Sequence, residues 1–123
     1  MILHLRHLPD SDLNPNKRLH HMELYKAKHA AKMETYLRVY SDGHGRPPTP
    51  YSLAHITITW IAKDRRRRDI DNLFASMKAY IDGLVYSQVI LDDSADRISY
   101  TLIYEHGDED DTIIQIDPVE YLV

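Results

Sequence analysis

Residues 64–71, Asp-Arg-Arg-Arg-Arg-Asp-Ile-Asp, bring four guanidinium groups and three carboxylates into one short segment. Carboxylate oxygens are ligands that Mg²⁺ prefers, and one or two of them are enough when waters and substrate phosphates complete the coordination. Guanidinium groups pair with phosphate in a bidentate geometry. The segment therefore predicts a divalent cation on Asp69 and Asp71, beside a phosphodiester held by arginine. The candidate phosphate ligands in this run are Arg65, Arg66, Arg67 and Arg68.

The same run also has a purely structural interpretation. Asp71 can cap a helix, Asp69 can pair with a neighbouring arginine, and Asp64 can neutralise a solvated loop. Residues two apart share a side of an extended chain but lie on opposite sides of a helix. The metal site is therefore expected only if the chain is extended up to Asp71 and the helix begins at or just after it.

A second acidic cluster, Leu91-Asp92-Asp93, follows the helix that is expected after the arginine run. A helix of about a dozen residues is under ~20 Å long, so the segment after it can fold back and bring Asp92 or Asp93 to the first pair. Asp-Asp-Ser is equally good turn chemistry. Both alternatives stay open from the spacing alone.

The block from Asp64 to Leu73, followed by Leu91-Asp-Asp, resembles the RusA-type Holliday-junction resolvases. In that family a DRRRRD-[LI]-DN block precedes a helix and a W/I-L-D-D turn follows it. The segment 13–18, Leu-Asn-Pro-Asn-Lys-Arg, is similar to the family's substrate-facing loop, and the resemblance spans roughly residues 9–100. It implies a homodimeric, Mg²⁺-dependent endonuclease of mixed α/β fold that nicks four-way DNA junctions symmetrically, in which Mn²⁺ can substitute.

The resemblance also implies roles for individual residues. Asp69, Asp71 and Asp93 would be the metal-binding catalytic acids, with Asp92 as the alternative for the third. The DNA-binding residues would be Asn14, Asn16, Lys17, Arg18, Arg65, Arg66, Arg67 and Arg68.

One position departs from the family pattern. Ala75 stands where the family has a catalytic lysine. Lys78, one turn further along the helix, could supply that charge or could simply pair with Asp82 at i+4. Lys63, Lys17 or a lysine of a partner subunit are the other candidates. A non-catalytic junction- or nucleic-acid-binding protein and a small interaction module therefore remain the rival functions.

Composition limits the remaining possibilities. The chain has 123 residues, no cysteine and a net charge of -4. One core, no disulfide framework and a reducing, cytoplasmic location are expected. No apolar run is long enough for a membrane span and no secretory signal is predicted. The charge is uneven, since residues 1–68 balance to +7 and residues 69–123 to -11.

Hydrophobic periodicity predicts a small α+β domain of order βαβαββ. Strands are expected at 2–8, 52–62, 97–105 and 112–117, and helices at 20–40 and 71–82, with a Pro- and Gly-rich loop at 41–50. Gly83 is expected to end the second helix in a left-handed conformation. Most tyrosines are predicted to pack in the core. The apolar stripe predicted for the first helix comprises Met22, Tyr25, His29, Met33, Tyr36 and Tyr40.

Overall fold

The computed structural model describes residues 1–42 and 46–120. The predicted loop at 41–50 therefore lies partly outside the described residues. The described chain has four strands and three α-helices, with a short 3₁₀ turn, Ser11–Leu13, before the first helix. In order they are β1 (Ile2–His4), α1 (His21–Ser41), β2 (Ala54–Ala62), α2 (Ile70–Ala75), α3 (Lys78–Tyr86), β3 (Ile98–His106) and β4 (Asp111–Pro118).

The strands form one mixed sheet in the order β1-β4-β2-β3. β4 pairs antiparallel with both β1 and β2, and β3 pairs parallel with β2. A parallel pair needs a crossover, which α2 and α3 provide between β2 and β3. The prediction of a small α+β domain is confirmed.

β2 shows how the sheet separates its two faces. Its β-branched residues favour a strand, and their exposure alternates strictly along it. Ile56, Ile58 and Trp60 are fully buried, whereas the residues between them are half-buried on the opposite face. The buried face packs with side chains of α3, including Tyr80 and Leu84, in one core.

The apolar stripe predicted for α1 is wrong. Tyr25 is 64% exposed, and Met22 and Tyr40 are also largely exposed. The buried face of α1 consists of the small or β-branched residues Ala27, Ala31, Thr35 and Val39. They are selected because α3 approaches so closely that a Cβ on Gly83 would lie 2.5 Å from the carbonyl oxygen of Lys32.

The single helix predicted at 71–82 is two helices, which makes the element order βαβααββ. The chain breaks after α2 at Ser76, whose hydroxyl donates to the carbonyl of Asn72 at 2.9 Å. Side-chain hydroxyls that bond back to the helix backbone favour such breaks. The first strand is also shorter than predicted, because Arg6 has a φ of 66° and turns the chain away from the sheet.

Gly83 lies inside α3 and does not end it, so that prediction is wrong. The left-handed residue is Gln88, with a φ of 63°. Its N–H donates to the carbonyl of Val85 at 3.0 Å, and Val89 donates to that of Leu84 at 2.9 Å. These two bonds are a Schellman cap, which the periodicity of the sequence does not reveal when glycine is absent.

Candidate metal and nucleic-acid site

Arg68 holds the arginine run to the body of the domain. Its Nη1 and Nη2 donate to the two carboxylate oxygens of Asp64 at 2.8 and 3.1 Å, and Nη1 also donates to the hydroxyl of Tyr104 at 3.1 Å. The Arg68 side chain is only 12% exposed. The guanidinium of Arg68, together with the N–H of Arg66, lowers the pKa of Asp64 to about 2. This arginine therefore positions the loop.

The other three arginines of the run are exposed. The side chain of Arg67 is 94% exposed, and its Nε lies 3.9 Å from a carboxylate oxygen of Asp69. Such a pair is long and solvated, so it contributes little on its own. Arg65, Arg66 and Arg67 are thus available to an external anion, while Arg68 is committed to Asp64 and Tyr104.

Asp69 and Asp71 lie at the start of α2. Asp69 occupies the N-cap position with an extended backbone, and its side chain makes no capping hydrogen bond. Because α2 begins at Ile70, the chain is extended only up to Asp69 and Asp71 lies in the first helical turn, so the condition set for two carboxylates on one side of an extended chain is not met. An acid is favoured in a first helical turn, and Asp71 occupies that place. Both carboxylates are exposed.

A groove of about 340 Å³ joins the segment before α1 to the arginine run. Asn14 and residues 8–11 form one wall, and Arg66, Arg67, Arg68, Asp69 and Asn72 contribute to the other. The hydroxyl of Tyr80, on α3, accepts from the N–H of Asp10 at 3.1 Å and so ties the first wall to the helices. Residues far apart in the sequence thus line one concave, mostly polar surface.

A second groove, of about 440 Å³, lies on the other side of Asn14. It is lined by Lys17 and Lys28 on one side, and by Ala75, Lys78 and Asp82 on the other. Lys17 is paired with Asp12. Asn16 donates its N–H to the side chain of Asn14 at 2.9 Å, and Arg18 is exposed beyond both grooves.

Lys78 joins the second acidic cluster to the helices. Its Nζ donates to Asp82 at 2.7 Å and also contacts Asp93. The Lys78 ammonium lowers the pKa of Asp93, and the two carboxylates, Asp82 first, raise the pKa of Lys78. The segment after α3 folds back, but it brings Asp93 to Lys78 in the first turn of α3, and in the described part of the chain it forms no three-acid cluster with Asp69 and Asp71. Asp92 is exposed beside it.

The candidate metal ligands are carboxylates, which Mg²⁺ prefers, but they do not lie together. Among residues 1–42 and 46–120, no three His, Asp or Glu side chains lie close enough together to hold one metal ion. Two exposed carboxylates, Asp69 and Asp71, remain available at the start of α2, and Mg²⁺ accepts such a set when waters and phosphate oxygens complete it. Asp93 would have to exchange its bond with Lys78 to join them.

The sequence did not indicate an apolar cavity of about 240 Å³ beside Lys78. It is lined by Phe74, Ala75, Ile81 and Tyr100, and the rings of Phe74 and Tyr100 meet edge to face at 4.9 Å between centroids. Burial, and then the charge of Asp93, raises the pKa of Tyr100 to about 12. The small side chain of Ala75 forms part of the cavity wall. A small residue at one position is too weak a sign to predict a cavity from the sequence.

Comparisons with known proteins add no evidence about the candidate site. No helix in the described part of the chain has the length and apolar character needed to cross a membrane. No family model matches the chain, and no curated protein matches it.

Proposed function

We propose that this protein is a Mg²⁺-dependent, structure-selective endonuclease that resolves four-way DNA junctions by paired symmetric nicks, acting as a homodimer of the RusA type. The observation that carries the proposal is the groove shared by Asn14, the arginine run and Asp69. Arginine side chains, which can pair with phosphate, and a carboxylate line one concave surface there. A two-fold dimer suits the task, because two strands of like polarity need two equivalent sites.

In this proposal Asp69, Asp71 and Asp93 hold Mg²⁺ or Mn²⁺, with Asp92 as the alternative third acid. When bound, the cation activates water and stabilises charge on the phosphate. Asp93 has two roles, since it now neutralises Lys78. If Asp93 turns toward the cation, Lys78 keeps Asp82 as its partner and becomes free to approach the phosphate, where an ammonium stabilises developing charge.

The remaining polar residues bind the arms of the junction. Arg66 and Arg67 line the first groove opposite Asn14, and Arg65 is exposed next to them in the sequence. Lys17 lines the second groove. Arg18 and Asn16 extend the same surface. Contacts to phosphates position DNA without reading its sequence. Selectivity is therefore expected from the shape of the branch point.

The proposal is tested with a labelled four-way junction, incubated with and without Mg²⁺. Paired, symmetric nicks are expected only with the metal. Asp71→Asn should abolish the nicks and leave junction binding within about twofold, because it removes a proposed metal ligand and none of the groups proposed to contact phosphate. Asp117→Asn is the matched control, since it makes the same charge change at an exposed site on β4. Cleavage that survives Asp71→Asn would contradict the assignment.

A non-catalytic junction-binding protein on the same fold is the second candidate. Two observations favour it: Ala75 carries no charge, and Asp93 is already neutralised by Lys78. Tight junction binding without cleavage in Mg²⁺ or Mn²⁺ would establish this function. Absence of both binding and cleavage would exclude both nucleic-acid functions and leave an interaction module.

A further inference from the structure

The apolar cavity beside Lys78 has no part in the proposed chemistry. Its volume is about 240 Å³, and it is lined by Phe74, Ala75, Lys78, Ile81 and Tyr100. Among the described residues of its wall, only Lys78 carries a charge. Phe74 and Tyr100 are half-buried, so a ligand can reach them from solvent. Binding pockets for small ligands share this composition, since they are mostly apolar with a few polar groups.

The cavity walls favour a flat, aromatic ligand. The rings of Phe74 and Tyr100 meet at an angle of 68°, with 4.9 Å between their centroids. A planar ring that enters can lie against the face of one of them and the edge of the other, and both contacts are favourable. An apolar cavity of about 150 Å³ holds a benzene ring, so this cavity has room for one nucleobase.

Tyr100 also offers a polar group to such a ligand. Burial, and then the charge of Asp93, raises the pKa of Tyr100 to about 12, so its hydroxyl is protonated at neutral pH. A phenolic hydroxyl can donate one hydrogen bond and accept others. It can therefore bond to the polar edge of a base whose faces contact the aromatic rings.

The cavity adjoins the second groove. Ala75 and Lys78 belong to the walls of both, and Lys17 and Lys28 line the groove as well. Asp82 is the acid in this groove, and it is paired with Lys78 at 2.7 Å. A basic groove beside an apolar cavity is the arrangement that a nucleotide needs, because its phosphate and its base are held a short distance apart by the sugar.

We propose that this cavity receives one unstacked nucleobase from the DNA strand whose phosphates lie in the second groove, which rests on the proposed function because the ligand is part of the same DNA. The cavity gives the protein a contact to a base. Phosphate contacts are present along every duplex arm and position DNA without distinguishing its bases. An apolar side chain of a partner protein would match the cavity but not the adjoining lysines, which favour a polyanion.

A base taken into the cavity would favour branched over linear DNA. Unstacking a base costs free energy, and the cost is least where pairing or stacking is already incomplete. In a junction whose arms do not stack on one another, the base pair next to the branch point has a stacking neighbour on one side only. Stacking on an aromatic side chain offsets the cost by a similar amount for any base. The net gain is therefore largest at the branch point.

A thermodynamic cycle between protein and DNA tests this contact. A series of four-way junctions carries one abasic residue, placed in turn at each position next to the branch point, and binding is measured without a divalent cation so that no strand is cut. Phe74→Leu is expected to weaken binding of the intact junction about tenfold, the scale of one base stacked on an aromatic ring. For one of the abasic junctions it should change the affinity by less than about twofold, because the base that Phe74 contacts is already absent.

Tyr25→Leu is the matched control for Phe74→Leu. Tyr25 is 64% exposed on α1 and lines neither groove nor the cavity, so both affinities should stay unchanged. A purely structural role of Phe74 would weaken binding of the intact junction and of every abasic junction by the same factor, which would overturn the inference.

A second measurement uses the wild-type chain. Phe74 is its single phenylalanine, so incorporation of ¹³C-labelled phenylalanine gives NMR signals from this ring alone. The ring current of a stacked base should shift these signals when the intact junction binds, and the shift should be absent with the abasic junction that the cycle identifies. Unchanged signals in the bound wild type would overturn the inference. So would shifts that depend on protein concentration without DNA, because they would place a protein surface in the cavity.

The outcomes separate the cavity from the proposed function. A base contact in both experiments, without nicks in Mg²⁺ or Mn²⁺, would contradict the endonuclease and keep the base in the cavity. Paired nicks with no coupling between Phe74 and any base would contradict the cavity contact only.

Discussion

In the proposed mechanism, Ala75 and Lys78 determine how much positive charge can stabilise the phosphate. Ala75 is exposed and lies next to the groove, whereas Lys78 divides its ammonium between Asp82 and Asp93. Ala75→Lys would add a second ammonium without removing either existing bond. We therefore expect it to raise the rate of junction nicking by about 100-fold, the lower end of what one preorganised donor contributes.

Single-turnover nicking with excess enzyme measures that change. Ala75→Gln is the matched control, because it adds a comparable side chain without charge. If Ala75→Lys and Ala75→Gln nick at the same rate, the missing charge at position 75 does not limit the reaction.

Arg68 and Arg67 are neighbours with opposite expected behaviour. Arg68→Ala removes the bonds to Asp64 and Tyr104 from a mostly buried side chain, and should lower the free energy of unfolding by about 1 kcal/mol. Arg67→Ala should leave stability unchanged. It should reduce the slope of log binding constant against log salt by about 0.9, which is the contribution of one phosphate contact. Urea unfolding and binding titrations at several salt concentrations separate the two effects.

The ion pair between Arg68 and Asp64 should make the stability of the fold depend on pH. The pKa of Asp64 is about 2 in the folded chain, below its ordinary value of 3.8. Its contribution to stability is therefore present above pH 3.8 and is lost as the pH falls toward 2. In Arg68→Ala the pKa of Asp64, followed by carboxyl NMR, should rise toward 3.8. An unchanged pKa would show that Arg68 does not hold this carboxylate.

The sequence indicates which types of residue line the candidate site, but it does not indicate the contacts that these residues make. The return of the segment containing Asp93 follows from the length of the intervening helices. The ion pair between Asp93 and Lys78 does not follow from the sequence, because Lys78 could equally pair with Asp82 alone. Likewise, four identical arginines gave no sign that one would turn inward, since that depends on Tyr104 on a distant strand.

At the scale of elements, the contact between α1 and α3 sets how closely the helices pack. A Cβ at Gly83 would lie 2.5 Å from the Lys32 carbonyl oxygen and 2.6 Å from the Cβ of Thr35. Gly83→Ala should therefore destabilise the chain by about 1–3 kcal/mol through overpacking, although alanine is normally the better helix former.

Urea unfolding measures the effect of Gly83→Ala. Thr35→Ala combined with Gly83→Ala should recover only a small part of the loss, because it removes the Cγ2 at 3.2 Å but keeps the closer contacts with the Cβ of residue 35 and the Lys32 carbonyl. Stabilisation by Gly83→Ala alone would mean that the two helices can move apart freely.

The helices also show why periodicity alone misplaced the core. Large apolar residues recur on α1 at three- and four-residue steps, but the face that meets α3 must be made of small side chains. Ala27 and Ala31 are therefore buried while Tyr25 is exposed. The strands were predicted better, because a sheet face accepts large residues and strict alternation leaves one choice of face.

For the whole molecule, the uneven charge should govern how DNA is bound. The exposed arginines and Lys17 lie around the two grooves, and most acids belong to the second half of the chain. Linear duplex can contact one groove region at a time, whereas a junction can occupy both sites of a dimer. We expect a junction to bind about tenfold or more tightly than its linear arms, because the second contact is intramolecular.

Competition titrations with a junction and with its component duplexes, at matched salt, measure this preference. The preference should vanish in any variant that dissociates the dimer, even if each subunit still binds duplex. Equal affinity for both substrates in an intact dimer would contradict a role in junction recognition.

The position of β4 has a consequence for how this chain reaches its fold. β4 follows the other three described strands in the sequence but is an inner strand of the sheet, with Leu3 opposite Ile114 on one side and Ile58 opposite it on the other. During synthesis, β1 has no strand partner and β2 presents an unpaired apolar edge until residues 111–118 emerge. Such long-range closure is slow relative to helix formation. In the nascent chain, the gap between β1 and β2 therefore stays open, and exposed to other chains, until β4 inserts.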